Sequence, residues 1–539
     1  MTYSATHDPK LKEILDHTVA GLLSTQTPDG CISAHDYPLQ LKNSDVWERK
    51  YVLLGLESYY AITRSQPVLD AMARLAAYTI GYVGPPPKVR IVDTGYGFEG
   101  IASSSILEPI VKLYDLTGSA RYLDFARYIV EQEGACKRGS IFQAAFDGVT
   151  PWNIASNGNR AQSIDKAYEM TSCFEGLAEY YRATGNDHWN QAALAYYKGI
   201  RDQEITLIGS GGGDKPYNHG IGTGEQWNNT ALEQTNPDMS VMMETCVTVT
   251  WMKFCYQLLR LTGDSKIADQ IELSAYNALA GAQKPAGIFY DYFQPLNGAR
   301  NGRVNYSETV GGIPLSCCTA NGPSGMALIP AFAAMTGTAG PVINLYAPFT
   351  AIMPTPSGGR VKLTVATNYP RTGHVAVQVE PEKQEHFTIR LRVPEWSGNT
   401  HLAVNGQPAQ AIPGTYTELS REWQAGDKIE MTIDMSCRLI HAPHGVNRKG
   451  DPFQALVRGP IVLSRDKRLG GDIHQPVEIQ TDASGLVPLT EISTEFSQVA
   501  FSVPLKAGGS FPVIDYASAG RTWDATSEFM TWLPTAKKS

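Results

Sequence analysis

The sequence predicts an α+β multidomain protein, a helical domain over residues 1–340 followed by all-β sandwich modules over residues 341–539. Three observations carry this expectation. Before residue 340 aromatic and aliphatic residues recur at spacings of three and four, the period of an amphipathic helix. Beyond it the period changes to two, with β-branched stretches set between Gly, Pro and Asn turns. A chain of 539 residues also exceeds what one hydrophobic core ordinarily fills.

In the helical part a degenerate phrase repeats. GLESYYAITR, LEPIVKLYDLTGSARYLDFARYIV, FEGLAEYYRATGNDHWNQAALAYYKGI and MKFCYQLLRLTGDSKIADQIELSAYNAL each read as a helix, a turn and a second helix. Gly118, Gly185 and Gly263 stand where a helix end takes a left-handed residue. Helical hairpins at irregular intervals build either an open solenoid or a closed toroid. The Gly-rich insertions GYVGPPPKVRIVDTGYGFEG and LIGSGGGDKPYNHGIGTGEQW favour the toroid, and long loops of this kind usually carry function. In the second part VKLTVATNY, HVAVQVEP, HFTIRLRV, HLAVNG, KIEMTIDM and QALVRGPIVL read as strands of a sandwich, whose expected role is packing or sugar binding.

Composition narrows the function classes. Hydrophobic residues make up 42% of the chain, yet no run is long enough to span a bilayer, so no membrane partner is expected. The formal charge is −8 and Lys and Arg are dispersed, which argues against a nucleic-acid partner. The N-terminus lacks a basic start followed by an apolar run and a small-residue cleavage site. The chain therefore reads as cytoplasmic, or as periplasmic with its leader removed. Cys31, Cys136, Cys173, Cys255 and Cys437 are scattered among apolar or small neighbours and read as buried hydrophobes. The sequence admits a homodimer without specifying one.

The chemistry concentrates in Glu244-Thr245-Cys246 and the adjacent pair Cys317 and Cys318. Three thiolates and a carboxylate form a full four-ligand set for Zn2+, which favours sulfur and accepts oxygen. Two residues apart on a regular helix, Glu244 and Cys246 would point about 200° from each other, so joint ligation needs a helix start or a turn. Gly311, Gly312 and Pro314 before the cysteine pair, and Gly322 and Pro323 after it, place the pair on an irregular loop. A zinc with four protein ligands is ordinarily structural, and that reading stays open.

The order ETC, a helix-like VTVTWMKFCYQLLRLTGD, FYDYFQPL and SCCTANGP resembles glycoside hydrolase family 127, and the related family 146 shares the pattern. The similarity continues through LRVPEWSGNTHLAVNGQPA, LSREWQAGDKIEMTIDM and ALVRGPIVLSRD to the WLP at Trp532. The resemblance implies an (α/α)6 barrel with its active site at the loop-bearing mouth and β-sandwich modules packed on the barrel. It implies Cys317 as the nucleophile, with Glu244, Cys246 and Cys318 completing a zinc site. Zinc keeps such a thiol deprotonated near neutrality, and thiolates are strong nucleophiles.

A retaining glycosidase also needs a group that protonates the leaving oxygen and then activates water. Glu225 in GIGTGEQW matches the family's acid/base motif, although its spacing to Glu244 is longer than expected; Glu233 is the alternative. Tyr290 falls where the family places a tyrosine beside the nucleophile, or else belongs to an aromatic cluster. Trp47, Glu48 and Arg49 match a family pattern, and an intrahelical structural role is expected for them.

Two departures affect the sugar. Ser105 and the region of Cys173 stand where the family carries hydroxyl-binding histidines, and only the loop residues His35 and His219 are placed to substitute. Losing such imidazoles changes which sugar fits. The reading is a retaining glycoside hydrolase releasing β-L-arabinofuranose or a related sugar from plant-type glycans. The alternatives are a sugar-binding protein with a structural zinc, and a lyase or epimerase on an α/α toroid.

Overall fold

The computed structural model describes residues 2–95, 98–155, 165–213, 224–236, 242–285, 287, 289–300, 309–310, 313–314, 316–443 and 452–536. The chain forms two compact units. The first comprises Met1–Ile205, Gly211–Ala231 and Asp238–Met242, and the second Thr206–Ser210, Leu232–Pro237 and Met243–Ser539. Helix gives way to strand at Ala334. Compactness divides the chain earlier, within the helical part.

The first unit is built on helices α1 (Asp45–Thr63), α2 (Gln66–Tyr82), α3 (Leu107–Thr117), α4 (Ala120–Arg127), α5 (Ala167–Thr184) and α6 (Asp187–Gln203). Consecutive helices pair because each stops at a left-handed residue that turns the chain back. Gly118 and Gly185 both have φ of 68°, and each donates its N–H to the carbonyl four residues earlier. Arg64 does the same between α1 and α2 at φ 54°, without glycine's freedom. Apolar stripes then meet: α3 buries Leu107, Ile110 and Val111, and α5 buries Met170, Phe174 and Leu177. Gly176 lets α5 approach closely, since a Cβ there would lie 2.8 Å from the Glu108 backbone nitrogen.

The second unit holds α7 (Thr245–Thr262), α8 (Ser265–Ser274) and α9 (Cys317–Ala333), with Gly263 capping α7 at φ 62°. Strands follow: β1 (Ala334–Gly337), β2 (Gly340–Ile343), β3 (Phe349–Pro354), β4 (Arg360–Thr367), β5 (His374–Pro381), β6 (Glu385–Val393), β7 (His401–Val404), β8 (Gln407–Ala409), β9 (Thr415–Trp423) and β10 (Asp427–Thr432). They form a six-stranded sheet in the order β8-β7-β10-β5-β4-β3 and a four-stranded sheet β9-β6-β2-β1. Alternate residues of both sheets share one core: Val361, Leu363 and Val365, then Val375, Val377 and Val379, then Phe387, Ile389 and Leu391. A further sheet joins Asn297–Gly298 to strands from Cys437 onward, and Leu533–Pro534 of the WLP motif pairs with Phe453 and Gln454 in it.

Arg392 of β6 is wholly buried. It pairs with Asp269 and, at 2.5 Å, with Glu272, both on α8, and donates to the Asn344 carbonyl. Among the described residues no helix is long and apolar enough to cross a membrane.

Candidate active site and metal centre

Glu244 is the N-cap of α7, with extended φ and ψ of −61° and 136°, and Cys246 sits at the second helical position. A helix start is thus how two residues in an i, i+2 relation come to face one point. Met243, buried with φ at 60°, turns the chain into the helix. The segment 290–294 runs alongside. Thr245 donates its N–H to the Tyr292 carbonyl at 3.0 Å and its hydroxyl to the Asp291 carbonyl at 2.6 Å, and Gln294 N–H reaches the Met243 carbonyl at 3.2 Å.

Cys317 and Cys318 are the first two residues of α9 and not part of an irregular loop. Ser316 caps the helix, its Oγ accepting from Thr319 N–H at 3.1 Å, and this local bond outweighs the turn-forming residues on either side. Gly322 is no turn residue either. A Cβ there would stand 2.2 Å from Cδ1 of Tyr290, so glycine permits the ring to lie on the helix.

One ligand atom from each of Glu244, Cys246, Cys317 and Cys318 lies within 4.8 Å of all the others. Cys246 Sγ and Cys318 Sγ are 3.3 Å apart, and Glu244 Oε1 is 3.7 Å from each of the Cys317 and Cys318 sulfurs. Metal–sulfur bonds of about 2.3 Å in a tetrahedron put ligands roughly 3.8 Å apart, so the set fits a thiophilic divalent ion. Burial pushes the Cys246 and Cys318 thiols well above their usual range, and a cation is what would draw the protons off. The N-termini of α7 and α9 both point at the cluster and favour negative sulfur there. Asn321 donates its side-chain N–H to Cys246 Sγ at 3.1 Å. Three members are buried, and Cys317 is exposed.

The phenol beside the exposed thiol is Tyr292, its oxygen 3.4 Å from Cys317 Sγ. Tyr290, expected in that place, lies instead against Gly322, one turn further along α9. In an extended segment residues two apart share a face, so both tyrosines point at α9 and only their depth along it differs.

Glu225 belongs to the first unit, and its buried carboxyl pairs with Lys166, which also lies 3.9 Å from Glu169. Glu233 is buried in a short helical turn, Thr230–Glu233, and accepts from Asn236 Nδ2 at 2.6 Å. His219 lies outside the described residues. His35 Nε2 meets Ser44 Oγ at 3.2 Å and Glu48 Oε1 at 3.3 Å. Arg49 pairs with Asp45 one turn back on α1, and Trp47 packs edge-on against Tyr51 and Tyr168. Ser105 donates to the Ala102 carbonyl and Cys173 to the Ile101 carbonyl, so both polar groups are satisfied by backbone within the helical core. Sequence reasoning missed Tyr292, Lys166 and Asn321. The alternating tyrosines of FYDYF were the available signal for the first, and the other two carry none.

The profile of the β-L-arabinofuranosidase GH127 catalytic domain matches residues 1–331, and that of the GH127 middle domain matches residues 342–435. The chain is 24% identical over 504 residues to a non-reducing end β-L-arabinofuranosidase of Bifidobacterium longum subsp. longum, covering 85% of this chain and 72% of that protein. Among solved structures, a GH127 β-arabinofuranosidase superposes with a TM-score of 0.75 at 20% identity over 99% of this chain and 86% of its own. A GH127 β-L-arabinofuranosidase from Geobacillus stearothermophilus T6 gives 0.73 at 20% identity, over 98% and 88%. With matching profiles in order along most of its length and the fold of those enzymes, the chain belongs to glycoside hydrolase family 127.

Proposed function

We propose that this glycoside hydrolase releases terminal β-L-arabinofuranose from glycans with retention of configuration, using Cys317 as nucleophile. The observation that carries this reading is the asymmetry of the cluster: Glu244, Cys246 and Cys318 are buried while Cys317 alone is exposed. A purely structural site has no need to present one sulfur to solvent. The names of the relatives support the sugar.

In this reading residues 1–340 form the catalytic domain. Zn2+ held by Glu244, Cys246, Cys317 and Cys318 would keep the Cys317 sulfur ionised near neutrality. Cys317 attacks the anomeric carbon as Glu225 protonates the departing glycosidic oxygen, leaving a glycosyl thioether. Glu225, now ionised, takes a proton from water as that water displaces the sulfur. Tyr292 hydrogen-bonds the sulfur and lowers its basicity, which helps it leave in the second step.

The test is nitrophenol release from an aryl β-L-arabinofuranoside by the wild type and Cys317→Ala, with zinc content measured for both. Activity lost with most of the metal retained supports the thiolate as nucleophile. Turnover unchanged in Cys317→Ala overturns the mechanism, and a wild type inert on this glycoside but active on another furanoside overturns the sugar.

A further inference from the structure

Within the first unit one carboxylate sits in a ring of donors that no role described above uses. Glu204, at the end of α6 and wholly buried, accepts Asn228 N–H at 3.0 Å, Asn229 N–H at 2.9 Å, Thr230 N–H at 3.0 Å and the Thr230 hydroxyl at 3.0 Å. Three successive backbone N–H groups converge because Asn229 takes the left-handed conformation, φ 58°. Such a turn is a nest that holds an anion, and here the anion is the protein's own side chain.

The nest begins three residues after Glu225. The residues between are clamped on both sides. Glu225 carbonyl accepts Ala167 N–H at 3.0 Å, Gln226 carbonyl accepts Gly213 N–H at 2.9 Å, and Trp227 N–H donates to the Asp165 carbonyl at 2.9 Å. The Trp227 indole N–H reaches Tyr196 at 2.8 Å, and the Thr230 hydroxyl accepts Gly212 N–H at 3.1 Å. Packing leaves no slack: a Cβ at Gly211 would lie 2.7 Å from the Glu204 carbonyl and 3.0 Å from the Trp227 ring.

We propose that Glu204 is a positioning residue for Glu225: its carboxylate fills the 228–230 nest and thereby sets where the Glu225 side chain stands. This rests on the reading of Glu225 as the acid/base. Without the carboxylate, buried N–H groups lose their acceptors and the turn rearranges to recover them. A displacement of about 1 Å at a reacting group is enough for a loss on the order of 100-fold.

The experiment compares kcat/KM of Glu204→Gln, Thr230→Val and Glu225→Gln on two aryl arabinofuranosides, one with a dinitrophenyl leaving group that needs no proton and one with a weakly acidic phenol. Thermal midpoints and zinc content are recorded alongside. Glu204→Gln is expected to lose about 30- to 100-fold on the weakly acidic phenol and less than about threefold on the dinitrophenyl substrate, the signature of a misplaced general acid. Thr230→Val, which removes one donor and keeps the carboxylate, is expected to show the same discrimination to a smaller degree, and carries the test if Glu204→Gln fails to fold. Equal losses on both substrates, or no loss, with Glu225→Gln discriminating as a general acid should, overturn the role of Glu204. If Glu225→Gln itself does not discriminate, the acid/base reading is what fails.

Discussion

Asn321 donates a side-chain amide N–H to the sulfur of Cys246, one of the four candidate metal ligands. Outer contacts of this kind orient and tune ligands, so Asn321→Ala should weaken metal retention by about 10- to 100-fold in competition with a chelator, with little effect on folding of the loaded protein. Gly322→Ala should act through packing: the added carbon meets the Tyr290 ring, and overpacking costs about 1–3 kcal/mol, read as a lower thermal midpoint. Asp291 makes a prediction about pH. It is wholly buried, and burial raises it to about 7 against the opposing pull of Arg300 and of the Tyr292 backbone N–H. Its folded value lies above the unfolded one, so the folded state binds more protons between pH 4 and 7 and stability falls as pH rises through that window. Asp291→Asn should flatten that fall when thermal midpoints are compared at pH 5.5 and 8. At this scale residue types were legible and partners were not. The residue types of Glu244, Cys246, Cys317 and Cys318 pointed to four candidate ligands, whereas choosing Tyr292 over Tyr290 required knowing how far along α9 each ring falls.

Helical hairpins were the most legible elements, because a stripe at spacings of three and four and a left-handed stop are local properties. Gly118, Gly185 and Gly263 cap as their positions predict, while the hairpin closed by Arg64 shows that a non-glycine residue is tolerated there. The start of α9 was misread as a loop since Gly and Pro flank it, although Gly322 serves close approach and Ser316 supplies the cap. Beneath the sandwich, Arg392 ties β6 to α8 through two buried carboxylates. Removing one partner of a buried ion network leaves uncompensated charge, so Arg392→Met should cost about 3–5 kcal/mol in urea unfolding. Burial already raises Asp269 to about 6 with the arginine present. The loss should therefore be larger at pH 8 than at pH 5.5, where the stranded carboxyl takes up a proton.

For the molecule as a whole, the cluster gathers three stretches of the second unit that are far apart in sequence, 244–246, 290–294 and 317–318. A metal bound there stabilises the folded chain by linkage. Chelation should lower the thermal midpoint by several degrees and zinc should restore it; an unchanged midpoint in a metal-free sample would show that the four groups hold no ion. The sequence by itself determined the two periodicities, the change of class near residue 340, the alternation of the sandwich strands and the chemical types of the ligand set. These follow from spacing along the chain, since a stripe or an alternating face is defined by neighbours a few residues away. Only the tertiary structure decided that Cys317 is the exposed sulfur, that Ser105 and Cys173 are spent on backbone carbonyls, that Glu225 pairs with Lys166, and that Glu204 fills the turn beyond it. Burial and hydrogen-bond partnership arise from segments tens of residues apart meeting in space, and nothing in the local pattern specifies which polar group finds which.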